Sequence, residues 1–147
     1  MRICIVGTGY VGLVTGTCLA EIGHDVVCVD DDREKVGVLQ SGGMPIYEPG
    51  LDELVAKNRR RHRLAFTADL GQGLEAATAV FICVGTPPLD DGDADLSAVE
   101  QVARRIGELS PSYKLVVEKS TVPVQTGMWI EKTLRVYGNR GTVEFDV

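Results

Sequence analysis

Residues 1–16 read MRICIVGTGYVGLVTG. Apolar residues run from Ile3 to Val6, and glycines follow at Gly7, Gly9 and Gly12. An apolar run that gives way at once to G-x-G-x-x-G is the pattern of a strand turning directly into a helix. Gly7 permits the tight turn, Gly9 lets the backbone approach a diphosphate, and Gly12 lets the helix pack close to the strand. The free N–H groups and positive dipole end of such a helix face the anion. In isolation, a glycine-rich turn with no ligand fits the same letters, so the rest of the chain must decide.

Outward from that stretch, apolar strands alternate with helical patterns. Strands are expected at residues 2–6, 25–30, 64–67, 79–84, 114–118 and 143–147. Helices are expected at 10–22, 32–40, 51–58, 69–76, 96–108 and from Pro123 to about Val136. In the first helix Gly12, Gly16 and Ala20 form a small-residue stripe that suits close packing on a sheet. Gly71 and Gly73 weaken the fourth helix. Asp95 or Ser97 is the expected cap of the fifth. Pro123 suits the first position of the sixth, with Ser120 or Thr121 as its cap. Continuously apolar strands separated by helices imply a parallel sheet covered on both faces. Right-handed crossovers then give a doubly wound α/β fold, three layers deep.

The bulk composition agrees. The 147 residues suit one domain, with 44% apolar and 24% charged residues. A net charge of −6 disfavours nucleic acid, which requires a cationic face. No apolar run approaches the roughly 18 residues of a membrane span. The first expected strand begins at residue 2, leaving no room for a signal peptide ahead of it. Cys4, Cys18, Cys28 and Cys83 show no CxxC spacing and read as small, reduced core residues of a cytoplasmic protein. No metal site is expected. The basic run NRRRHR (58–63) reads as a solvated helix end, and His24 and His62 lack partners at catalytic spacing.

Three further segments join the glycine loop at one sheet edge. Asp30 ends the second strand 18 residues after Gly12, where a carboxylate accepts hydrogen bonds from an adenosine ribose. Asp31 and Asp32 follow, and no arginine stands at that strand end, so NAD is favoured over NADP. Lys35 lies one turn into the next helix, within reach of a ribose or phosphate, or else simply solvated. The segment Val84-Gly85-Thr86-Pro87 follows the fourth strand, and residues 118–123 (EKSTVP) follow the fifth. Open α/β sheets bind their ligands at this carboxyl edge.

GTGYVGL, the strand-end Asp30, PIYEPGL, FICVGTPP with DGDADLS, and VEKSTVPV occur in order. In these motifs the chain resembles the amino-terminal, Rossmann-type NAD-binding domain of the UDP-glucose/GDP-mannose dehydrogenase family, most closely its UDP-glucose-oxidising members. The resemblance implies NAD as cofactor and a two-step oxidation of a sugar C6 alcohol to a carboxylate. It implies that Gly7, Gly9, Tyr10, Val11, Gly12, Asp30, Lys35, Val84, Thr86, Ser120 and Thr121 contact NAD, with Thr121 also near the reacting centre as an auxiliary catalytic group. Residues 47–50 would form a loop beside the cleft. A UDP-sugar is the implied partner, and a homodimer or larger assembly is implied for the full-length protein.

The family's central helix, its UDP-sugar-binding domain and its nucleophilic-cysteine motif have no match in these residues. The chain is therefore expected to bind NAD without performing the chemistry. GDP-mannose and UDP-N-acetyl sugars are the alternative substrates. A stand-alone NAD-binding regulatory module is the alternative from another class. An S-adenosylmethionine-dependent methyltransferase would share the strand-end acid but has no place for GTPP or STVP.

Overall fold

Alternation within the first strand sets the layers. β1 (Arg2–Val6) sends Ile3 and Ile5 to one face and Cys4 and Val6 to the other, as strand geometry requires. On the first face lie α1 (Tyr10–Glu21), α2 (Arg33–Ser41) and α3 (Leu51–Arg60), contributing Leu13, Leu39 and Val55 to the core. On the second face lie α4 (Leu70–Glu75), α5 (Ser97–Leu109) and α6 (Thr126–Tyr137), contributing Leu74, Ile106 and Leu134. Burying each such side chain stabilises the fold by roughly 1.5–3 kcal/mol. The computed structural model describes residues 1–138 and 143–147.

The remaining strands are β2 (Asp25–Val29), β3 (Leu64–Thr67), β4 (Ala79–Ile82), β5 (Lys114–Glu118) and β6 (Phe145–Asp146). These six strands pair in parallel throughout, in the order β3-β2-β1-β4-β5-β6. The chain winds outward from β1 through β2 to β3, then returns to β4 on the other side of β1. The strand order therefore reverses between β1 and β4, and a crevice opens at their carboxyl ends. No helix among the described residues is long and apolar enough to cross a membrane.

Glycines set how closely helices approach the sheet. A Cβ on Gly16 of α1 would lie 2.7 Å from Cys28 Sγ, so the small-residue stripe does bring α1 against the sheet. Gly73, a poor helix former, is in place for the same reason: its Cβ would lie 2.5 Å from Val29 Cγ2. α4 survives as six residues, with Asp69 accepting from the Gly71 and Gln72 amides.

Several boundaries differ from expectation. α6 begins at Thr126 rather than Pro123, and no side chain caps it. The Thr126 amide donates to Pro123 O at 3.0 Å, closing a turn ahead of the helix. Ser120 and Thr121 cannot cap it, because both lie in the sheet-edge loop before that turn. Asp95, not Ser97, serves α5: its Oδ1 accepts the Ser97 amide at 2.9 Å. β6 pairs over two residues instead of the five expected. Cys18 is exposed, whereas Cys4, Cys28 and Cys83 are buried, and all four are free. Helical periodicity explains the exception. The buried face of α1 carries residues 12, 13, 16, 17 and 20, and position 18 points away.

Candidate functional site

The glycine loop leaves β1 at the reversal point. Gly7 adopts φ +101°, and its amide donates to Val29 O at 2.7 Å, which fixes the turn against β2. A Cβ on Gly7 would lie 2.5 Å from Cys83 O, and one on Gly12 would lie 1.9 Å from Gly7 O. Both positions therefore exclude any side chain. Gly9 differs: nothing lies within 4 Å of where its Cβ would be. It stands before α1 with no side chain capping the helix. The first amides of a helix have no intrahelical acceptor and carry the positive end of its dipole. An open, uncapped helix start is a place for an anion.

Asp30 stands across the crevice, only 7% exposed. Its Oδ2 accepts the Thr8 amide and the Thr8 hydroxyl, both at 2.7 Å, and Lys35 Nζ at 3.3 Å. Its Oδ1 accepts the Asp32 amide at 3.1 Å. Burial pushes the carboxyl up, but the Thr8 and Asp32 hydrogen bonds and the Lys35 charge outweigh it, so Asp30 titrates below the usual range. Asp32 caps α2 through the Glu34 and Lys35 amides, which orients Lys35 toward Asp30.

A cavity of about 360 Å³ lies between these groups. Of the expected residues, Gly7, Gly9, Asp30, Lys35 and Val84 line it. Gly12 is buried beneath the loop, and Tyr10 and Val11 are exposed at the helix start. Tyr10 also donates its hydroxyl to Tyr47 O at 3.2 Å, which ties the 47–50 loop to the first residue of α1. Thr86, Ser120 and Thr121 lie outside the cavity lining. They form a second grouping: the Thr86 hydroxyl donates to Thr121 O at 2.8 Å, and the Ser120 hydroxyl reaches Ile82 O at 3.4 Å. Glu118 stands beside them, with Oε1 accepting the Ser120 amide at 2.6 Å and Oε2 buried without a partner. Burial raises its carboxyl against the lowering effect of the Ser120 and Lys119 hydrogen bonds.

Sequence reading missed two features. Thr8 had a signal, being a hydroxyl residue between the loop's first two glycines with an acid on the next strand. Gln101 and Arg105 of α5, which also line the cavity, had none, because an exposed helix face carries no periodic mark. Arg105 also qualifies the expectation of no nearby arginine. Arg33 opens α2 three residues past Asp30 but is not among the cavity-lining residues, whereas Arg105 of α5 is. The cysteines offer no ready nucleophile in the interior. Burial pushes Cys4 up to about 12 and Cys83 up to about 11, and raises Cys28 as well.

An uncapped helix at the reversal point, a strand-end carboxylate beside it and a cavity between them define a dinucleotide-binding domain of the doubly wound class. The sequence profile of the UDP-glucose/GDP-mannose dehydrogenase family, NAD binding domain, matches residues 1–147, and the chain belongs to that family as its NAD-binding domain. It is 48% identical over 146 residues to UDP-glucose 6-dehydrogenase TuaD of Bacillus subtilis, covering 99% of this chain and 32% of that protein. It is 52% identical over 136 residues to a UDP-glucose 6-dehydrogenase of Rhizobium meliloti, covering 92% of this chain and 31% of that one. Among solved structures, a GDP-mannose dehydrogenase from Pseudomonas aeruginosa superposes with a TM-score of 0.92 at 37% identity. That match covers 100% of this chain and 35% of the other. A UDP-glucose dehydrogenase from Pyrobaculum islandicum gives 0.91 at 38% identity, covering 97% and 34%. The chain thus spans about a third of the length of the curated relatives it matches.

Proposed function

We propose that this chain holds NAD at the β1/β4 crevice for the oxidation of a nucleotide sugar, with UDP-glucose as the substrate of the whole protein. The carrying observation is the cavity that joins the open, uncapped start of α1 to the buried Asp30 carboxylate. In this reading the amides of Tyr10 and Val11 receive the diphosphate, with Gly7, Gly9 and Gly12 giving the backbone room. Asp30 and Lys35 hold the adenosine ribose. Val84, Thr86, Ser120 and Thr121 flank the nicotinamide half, and the Thr121 hydroxyl orders a water or carries a proton. Bound NAD supplies hydride acceptance; the residues of this chain bind and orient it.

Arg105 bears on cofactor choice. It lines the cavity together with Lys35, Asp30 and Asp31, and Asp32 follows at the start of α2, so the acids after β2 still disfavour a 2′-phosphate. The substrate reading draws on the two UDP-glucose 6-dehydrogenases above, and GDP-mannose and UDP-N-acetyl sugars are the alternatives within the family. Cytoplasmic location and a homodimeric or larger assembly of the whole protein belong to the same proposal.

Calorimetric titration of the chain tests it directly. NAD should bind and release heat at a single site, while NADP and S-adenosylmethionine should bind far more weakly. Equal affinity for NAD and NADP would overturn the cofactor assignment. Mixed with NAD and UDP-glucose, the chain alone should form no NADH, and absorbance growth at 340 nm above the blank would refute the role given to groups outside it.

A further inference from the structure

The most tightly held side chain of the cavity is Asp30, and the residue that holds it is Thr8, between the first two glycines. Thr8 is fully buried. Its amide and hydroxyl converge on one oxygen, Asp30 Oδ2, each at 2.7 Å. Lys35 adds a third donor to that oxygen at 3.3 Å, from a side chain that stays 31% exposed. Oδ1 receives only the Asp32 amide, at 3.1 Å. A carboxylate oxygen accepts about two hydrogen bonds through its lone pairs. Oδ2 is therefore crowded, and Oδ1 keeps an open position. Of the donors on Oδ2, the long and solvent-facing lysine contact is the one a ligand can displace. The two short contacts from buried Thr8 are not.

We propose that Thr8 is a positioning residue for the adenosine ribose, its hydroxyl fixing the Asp30 carboxylate so that Oδ1 and the Lys35 position on Oδ2 remain for the ribose hydroxyls. This rests on the assignment of the cavity to NAD and adds a residue to it. A Thr8 hydroxyl that served only the buried carboxylate would be needed for folding and would leave ligand discrimination untouched. A hydroxyl that sets carboxylate rotation is felt where the diol is read. Valine at this position keeps the branched shape and the backbone amide and deletes the one donor. Serine keeps both donors.

The test compares two ligands, NAD and its analogue lacking the adenosine 2′-hydroxyl, by titration calorimetry on the chain. The parent should prefer NAD by about tenfold, the worth of one charge-assisted hydrogen bond. Thr8→Val should weaken NAD by about three- to tenfold and shrink that preference to about twofold, while Thr8→Ser should retain it. Thr8→Ala carries the same measurement if Thr8→Val does not fold. Unchanged NAD affinity in the valine or alanine variant would overturn the proposal. So would an equal loss for both ligands, or a serine variant that behaves like valine. A parent chain that binds no NAD would instead remove the cofactor assignment itself, a result distinct from an altered or unaltered preference.

Discussion

The carboxyl edge of the sheet is built differently on the two sides of its reversal point. On the β1–β2 side, Asp30 takes four donors and the Gly7 turn is hydrogen-bonded to β2. Gly12 there sits where a single added carbon would strike Gly7 O. On the β4–β5 side, the Thr86 hydroxyl bonds to Thr121 O and the Ser120 hydroxyl reaches Ile82 O at 3.4 Å, but Gly85 faces open space. Glu118 Oε2 goes unpartnered there, and Val124 is fully exposed. The first half is shaped by the protein's own interior, so its groups stand in position before a ligand arrives, which lowers the ordering cost of binding. The second half keeps a buried carboxylate oxygen unpartnered and an apolar side chain exposed, and leaves more to be ordered on binding.

The sharpest test of that contrast sets two glycines against each other. Gly12→Ala is expected to cost on the order of 3 kcal/mol or more, because its Cβ would lie 1.9 Å from a backbone oxygen. Gly85→Ala, with nothing in reach of its Cβ, should stay within about 0.5 kcal/mol of the parent. Urea denaturation of both variants measures the difference, and equal costs would erase the contrast between the halves.

Binding offers the next test. Asp30→Ala should weaken NAD by about ten- to hundredfold, through loss of a charged acceptor worth roughly 1.5–3 kcal/mol. A loss under about twofold would refute the ribose assignment. Thr86→Val, which deletes a neutral bond between two loops, should cost only about two- to fivefold. If the threonine variant proves the more damaging, the preformed half is not where affinity resides.

The smallest expected effect is a pH dependence. The Glu118 carboxyl is raised by burial, so folding favours its protonated form. Its ionisation therefore costs stability as pH rises past the ordinary glutamate value of about 4.3. Glu118→Gln should match the parent near pH 4 and gain on it toward pH 7, by under about 1 kcal/mol. Denaturation midpoints at a series of pH values check this, and a pH-independent offset would count against an under-satisfied carboxylate in the β4–β5 half.

Local chemistry determined much of this protein in advance. Apolar runs alternating with helical patterns marked each strand and helix to within a few residues, and three glycines after a strand marked the turn into the first helix. The acid at the end of β2 declared itself as an ionisable group closing an otherwise apolar run. These readings need only neighbours in sequence. Tertiary structure alone decided the rest. It laid the face of α1 that carries residues 12, 13, 16, 17 and 20 on the sheet, which leaves Cys18 outside. It brought Arg105 from α5 to the cavity wall, and it aimed both donors of Thr8 at one oxygen of Asp30. The placements of Arg105 and of the Thr8 donors depend on where the sheet brings residues distant in sequence, the Thr8–Asp30 contact spanning 22 positions.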